Sequence, residues 1–146
     1  MATPGRILKT SLRFLLAAAM VFVGVKHFTS PEPFVWMIPP LLPAPEALVA
    51  VSGVFEILGG VGLVVPQARR AAAFGLIALY IAVFPANIHM AVNNIPFGDE
   101  PAPAWALWLR LPFQAVFIGL AYWFTRPDAP RTSPASAGAA RSPAVE

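Results

Sequence analysis

The side chains of this chain that could do chemistry lie inside or at the ends of apolar stretches: Lys26, His27, Glu56, Asn87, His89, Arg110 and Gln114. They supply cationic and amide donors, imidazoles and a carboxyl group, which can hydrogen-bond a polar ligand, neutralise charge or pass a proton. Arg110 and Gln114 are four residues apart, as are Ser52, Glu56 and Gly60, so each set shares one helical face. His27 and His89 lack the carboxylate or second histidine at the spacing of a metal motif, so no metal site is expected. No Ser-His-Asp set, glycine-rich phosphate loop or paired carboxylate is visible, and an autonomous enzyme is not expected. Cysteine is absent, which removes disulfides, thiolate nucleophiles and thiolate-held zinc or iron–sulfur clusters. A redox role would need a borrowed cofactor.

The elements that must position these groups are set by composition. Of 146 residues, 58% are hydrophobic and 12% are Asp, Glu, Lys or Arg, against about a quarter charged in soluble domains. A mean hydropathy of +0.68 agrees, and lipid is the expected solvent. The formal charge of +3 and pI of about 10.0 do not signal nucleic acid, because the basic residues flank apolar runs without forming a patch with interleaved aromatics.

The expected architecture is an all-α transmembrane four-helix bundle in one domain, 1–126, with helices at about 7–28, 47–65, 71–90 and 105–124. The uncharged part of the first, 14–25, covers only about 18 Å, so Arg13 must snorkel inward and Lys26 either outward or into the bundle. A cleaved signal peptide is the rival reading of this segment, but no small-x-small site follows Val25, and retention is expected. Pro85 should bend the third segment, and Trp105, Trp108, Tyr122 and Trp123 bracket the fourth as interfacial belts. Gly53, Gly59, Gly60 and Gly62, with Ala71, Ala72, Ala73 and Gly75, should allow close helix packing. Phe14, Phe22 and Phe28 read as lipid-facing or core packing and not as a cofactor box.

Arg6, Lys9 and Arg13 precede the first segment, Arg69 and Arg70 join the second to the third, and Arg126 follows the fourth. The positive-inside rule puts all of them in the cytoplasm, giving an N-in/C-in topology. The proline-rich stretch 31–46 cannot be a continuous helix, yet it holds Phe34, Trp36, Met37, Ile38, Leu41 and Leu42, and should lie in the outer interface or cap the bundle. The tail 127–146, rich in Pro, Ala and Ser, is expected to be disordered in the cytoplasm.

On this topology Glu56 lies about 14 Å and Arg110 about 8 Å below the outer edge, and every helix contributes to one outer polar layer. A buried charge in lipid costs a few kcal/mol unless it is compensated. A Glu56–Arg110 ion pair, ringed by Lys26, His27, Asn87, His89 and Gln114, is the simplest neutralisation. Such a pair can equally serve only to fix helix register.

Four ordered motifs carry a family likeness: Gly24-Val25-Lys26-His27-Phe28 with its proline-rich loop, Ser52-Gly53-Val54-Phe55-Glu56-Ile57-Leu58-Gly59-Gly60, Phe84-Pro85-Ala86-Asn87-Ile88 and Arg110-Leu111-Pro112-Phe113-Gln114. From the first segment through the fourth the chain resembles the DoxX-like family of small four-helix bacterial membrane proteins. The resemblance implies a membrane-embedded bundle and connects the chain to the quinone-linked small subunit of thiosulfate oxidation and to membrane redox complexes. The resulting expectation is an accessory subunit in lipid that binds a quinone headgroup or a redox partner protein in the polar layer. Lys26, His27, Arg110 and Gln114 would donate hydrogen bonds there, and Glu56 would relay protons. The alternatives are a permease-like oligomer for small solutes and a structural partner that stabilises another membrane protein through the small-residue faces.

Overall fold

The computed structural model describes residues 4–96 and 103–126, which are all-helical. Among them α1 (Pro4–Thr29), α2 (Glu32–Met37), α3 (Pro45–Val64), α4 (Arg69–Val92) and α5 (Ala104–Thr125) follow in order. All but α2 are long and apolar enough to cross a membrane. At 1.5 Å per residue they extend about 30 to 39 Å, against a hydrocarbon core of about 30 Å. Most of their ends lie one to three residues beyond the expected spans. Apolarity marks the stretch that lipid would cover, whereas a helix runs on until a turn or proline stops it. The tail 127–146, and Asp99 and Glu100, lie outside the described residues.

The stretch 31–46 is not wholly loop. Glu32–Met37 forms α2 because Pro33 falls in its first turn, where a missing N–H costs no hydrogen bond, and Pro39 and Pro40 follow its end. The helix α4 continues through Pro85, and α5 through Pro112. Each proline removes one backbone hydrogen bond without ending its helix.

The long helices pack in the order α1, α3, α4, α5. The first seam depends on glycine. A Cβ on Gly53 would sit 2.7 Å from His27 Cβ and 3.0 Å from the Gly24 carbonyl, and one on Gly24 would sit 2.8 Å from the Gly53 carbonyl. Between α3 and α4 the positions of Gly59 and Gly62 are closed by Leu76 and Ala72, whose side chains would lie 2.5 and 2.6 Å from an added Cβ. Gly75 was expected at such a seam and is not, since a Cβ there meets nothing within 4 Å. Dispersion between closely approached backbones is the main force that can join helices in lipid, where burial from water contributes little.

Lys9 Nζ donates to the Arg126 carbonyl at 2.7 Å, which puts the start of α1 and the end of α5 at the same end of the bundle. Here Lys9 and Arg13, each 6% exposed, fold into the bundle, where Arg13 was expected to snorkel away. Both Lys9 and Arg69, whose Nε donates to the Leu63 carbonyl at 3.3 Å, place positive charge on a helix C-terminus, where the dipole favours it. Leu16, Met20, Leu63, Leu76, Tyr80 and Phe124 fill this terminal half. A second cluster, Met37, Ala86, Met90, Ala91 and Leu107, fills the half under α2. Phe14, Phe22 and Phe28 face outward, as do Leu58, Ile81 and Val116 on the other long helices.

Substituting alanine for Gly24 or Gly53 should destabilise the protein by about 1–3 kcal/mol through overpacking. The same change at Gly75 or Gly119, where a Cβ meets nothing within 4 Å, should be neutral or stabilising by up to about 1 kcal/mol through helix propensity. Thermal unfolding in detergent checks the contrast, and equal losses at all these positions would refute the seam.

Candidate functional site: a polar cavity between two apolar cores

Between the two clusters lies a cavity of about 380 Å³ bordered by every helix. Its apolar walls include Met20 and Val23 from α1, Phe34 and Met37 from α2, and Phe113 and Phe117 from α5. Its polar groups are His27, Glu56, Asn87, Arg110 and Gln114, with Ser52 and Tyr80. Five of the residues picked out by type and depth therefore meet at one place. Lys26 does not join them: it is exposed, with its Nζ 5.8 Å from the Phe22 ring centroid on the outer side of α1. One residue is 100° of helix, so with His27 turned inward by the Gly53 contact, Lys26 must face away. His89 is also off the cavity. Its Nδ1 lies 3.1 Å from the Met37 carbonyl, so it fastens the end of α2 to α4.

Glu56 meets His27 and not Arg110. Among the described residues no ion pair joins Glu56 to Arg110, whereas His27 Nδ1 lies 3.1 Å from Glu56 Oε2. The reason is the glycine seam: Gly24 approaches so closely that a Cβ on it would sit 3.1 Å from Glu56 Cβ, and His27 is the next inward position on α1. His27 Nδ1 is also 2.9 Å from the Val23 carbonyl. A carbonyl can only accept, so this nitrogen carries the hydrogen. The bond runs to Val23, and Glu56 Oε2, buried beside it, has no hydrogen-bond donor among the described residues. The imidazole is held from its other side by Phe34 of α2, stacked with ring centroids 3.9 Å apart.

The opposite wall is an amide chain. Asn87 Nδ2 donates to Gln114 Oε1 at 2.9 Å, and Gln114 Nε2 donates to the Tyr80 carbonyl. This carbonyl belongs to the turn just before Pro85, where the helix has lost one of its own bonds. Gln114, only 4% exposed, is thus satisfied at both ends of its amide. Asn87 keeps its amide oxygen and a second N–H beyond this chain. Arg110 Nη1 donates to Met90 Sδ at 3.3 Å, which aims the guanidinium toward the core under α2. Sequence reasoning missed Tyr80, whose hydroxyl donates to Met20 Sδ at 3.1 Å. Its signal was its spacing: Tyr80 and Asn87 are seven residues apart, two turns along one face of α4.

The arrangement suits a flat, mostly apolar group with polar atoms at its edge. Phe34, Phe113 and Phe117 offer ring faces, Glu56 and Asn87 offer hydrogen-bonding atoms, and no three His, Asp or Glu side chains converge as a metal site among the described residues. Replacing Gln114 by leucine should strand the Asn87 amide and the Tyr80 carbonyl and cost about 1–3 kcal/mol. Asn87→Leu should cost a similar amount, and the double variant less than the sum; strict additivity in thermal unfolding would show that the two amides act separately.

No curated protein and no solved structure matches the chain. Residues 16–125 match the family described as "Domain of unknown function (DUF8561)", a stretch that begins inside α1 and ends with α5, so it takes in the whole cavity. The chain belongs to that family.

Proposed function

We propose that this protein is an accessory subunit of a membrane redox system, holding a quinone headgroup in the central cavity. In this reading it is a multi-pass protein of the bacterial inner membrane. Both termini are cytoplasmic and the α2 end faces outward. The observation that carries the headgroup site is Glu56 Oε2, buried on the wall of an aromatic-lined cavity without a hydrogen-bond donor among the described residues. Leaving such an oxygen unsatisfied costs about 1–3 kcal/mol, and a ligand hydroxyl would recover it once the carboxyl group turns that oxygen toward the cavity. An ionised Glu56 accepts from a quinol hydroxyl, and a protonated Glu56 donates to a quinone carbonyl, so one side chain serves both forms. The Asn87 oxygen and second N–H offer the same choice across the cavity. The resemblance to DoxX-like proteins supports the quinone link and a redox partner. The sidedness rests on Arg6, Lys9, Arg13, Arg69, Arg70 and Arg126, which the helix directions gather at the terminal end. A pathway for a translocated solute has less support, because the terminal half is filled by Leu16, Met20, Leu63, Leu76 and Phe124.

The purified protein should bind a tail-less benzoquinone, and Glu56→Leu should weaken that binding by at least about tenfold, the effect of losing a hydrogen bond to a charged group. Titration in detergent, with gel filtration to confirm that the variant stays folded, measures this. Unchanged affinity in a folded Glu56→Leu protein would sink the headgroup site. For sidedness, the chain has no native cysteine to interfere. In intact spheroplasts Glu46→Cys should react with a membrane-impermeant maleimide, and Arg70→Cys only after lysis. The reverse pattern would invert the topology.

A further inference from the structure

We infer that the ligand of the central cavity is single-tailed and that its tail leaves the bundle between α3 and α4, lying in an apolar groove on their outer face. This rests on the cavity taking a quinone-type headgroup, and it specifies the rest of the molecule. The groove has a volume of about 430 Å³ and is lined by Leu48, Val51 and Phe55 from α3 and by Gly75, Ala78 and Ala82 from α4. Ile38, Ser52, Val83 and Ala86 border both the groove and the polar cavity, so one thin wall separates them. Two of those four side chains are small. The polar one, Ser52, spends its hydroxyl on the Val49 carbonyl at 2.8 Å and presents little polarity to a hydrocarbon passing it.

The helix seam leaves this wall free to part at this level. The tight contacts of α3 with α4, Gly59 under Leu76 and Gly62 against Ala72, all lie on the terminal side of Ser52 along α3. Gly75 supplies an independent observation. A glycine inside a helix costs about 1 kcal/mol relative to alanine, and this one has no packing reason, since a Cβ there would meet nothing within 4 Å. Its missing side chain widens the groove. From Ala82 to Gly75 is seven residues, or about 10 Å along α4, room for a short isoprenoid chain. In lipid such a groove gains little from apolarity, so its role is steric: it gives the tail an exit while the headgroup stays inside.

The test compares a tail-less methoxylated benzoquinone with the same headgroup carrying a short isoprenoid tail, titrated into the purified full-length protein in detergent. In Ala82→Phe, which fills the groove beside the shared wall, the tailed compound should bind at least about tenfold more weakly than to wild type, while the tail-less compound changes by less than about twofold. Gly75→Leu, at the far end, should reproduce this loss only when the tail is lengthened. It also keeps the inference testable if Ala82→Phe fails to fold. Gly119→Leu, in neither cavity, is the control and should change nothing. If the ratio of tailed to tail-less affinity is the same in wild type, Ala82→Phe and Gly75→Leu, the tail leaves elsewhere and the inference is wrong, while the headgroup site stands. If the tail-less compound does not bind wild type, the headgroup reading itself fails and takes this inference with it.

Discussion

Gly24 and Gly53 bring the backbones of α1 and α3 so close that neither position can hold a Cβ without displacing the other helix's carbonyl oxygen. The rest of the polar interior follows from that approach. With the helices in contact, the inward direction of α1 one turn on is occupied by His27, and the nearest polar group on α3 is Glu56. A wider seam would let water or lipid reach the carboxyl group. The narrow one instead leaves an oxygen enclosed beside an imidazole whose hydrogen is directed at Val23. Close backbone packing thereby encloses a polar atom that has no hydrogen-bond donor among the described residues.

Two apolar clusters hold the cavity open between them. Leu63, Leu76 and Phe124 close the terminal half, and Met37, Met90 and Leu107 close the half under α2. The short helix α2 belongs to the site as much as to the cap, since Phe34 stacks on His27 while its last carbonyl, that of Met37, lies against His89 Nδ1. A residue chosen by type as a ligand candidate thus serves to position one wall of the cavity. Gln114 has a similar office, tying α5 to the turn of α4 that precedes Pro85. Proline at that point weakens the helix's own bonding, and a side chain from the neighbouring helix bonds to the turn beside it.

Membership of a family of unknown function leaves the chemistry to be read from the cavity itself. What the cavity offers is limited and specific: ring faces, one carboxyl group beside an imidazole, a guanidinium, a half-used amide and a tyrosine hydroxyl hydrogen-bonded to Met20 sulfur. They can hydrogen-bond and exchange protons with a group held between them.

The helical segments and the depth of the polar residues were legible in the sequence because both depend on one-dimensional properties: how long an apolar run lasts and how far along it a polar residue falls. Five of the seven candidate site residues reach the cavity for that reason. What tertiary structure decided was rotation and approach. Lys26 and His27 are adjacent in the chain and equal in depth, yet only His27 points inward, because the glycine contact fixes the angle of α1. Arg110 shares a face with Gln114 but extends to Met90, and the side chain brought beside Glu56 is His27, carried there by the seam. Gly75 and Gly59 look alike in sequence; only the neighbour across the interface makes one a packing position and leaves the other beside open space. Apolar periodicity is a property of a single helix, whereas these outcomes are properties of pairs of helices, and a pair is defined only once the bundle has formed.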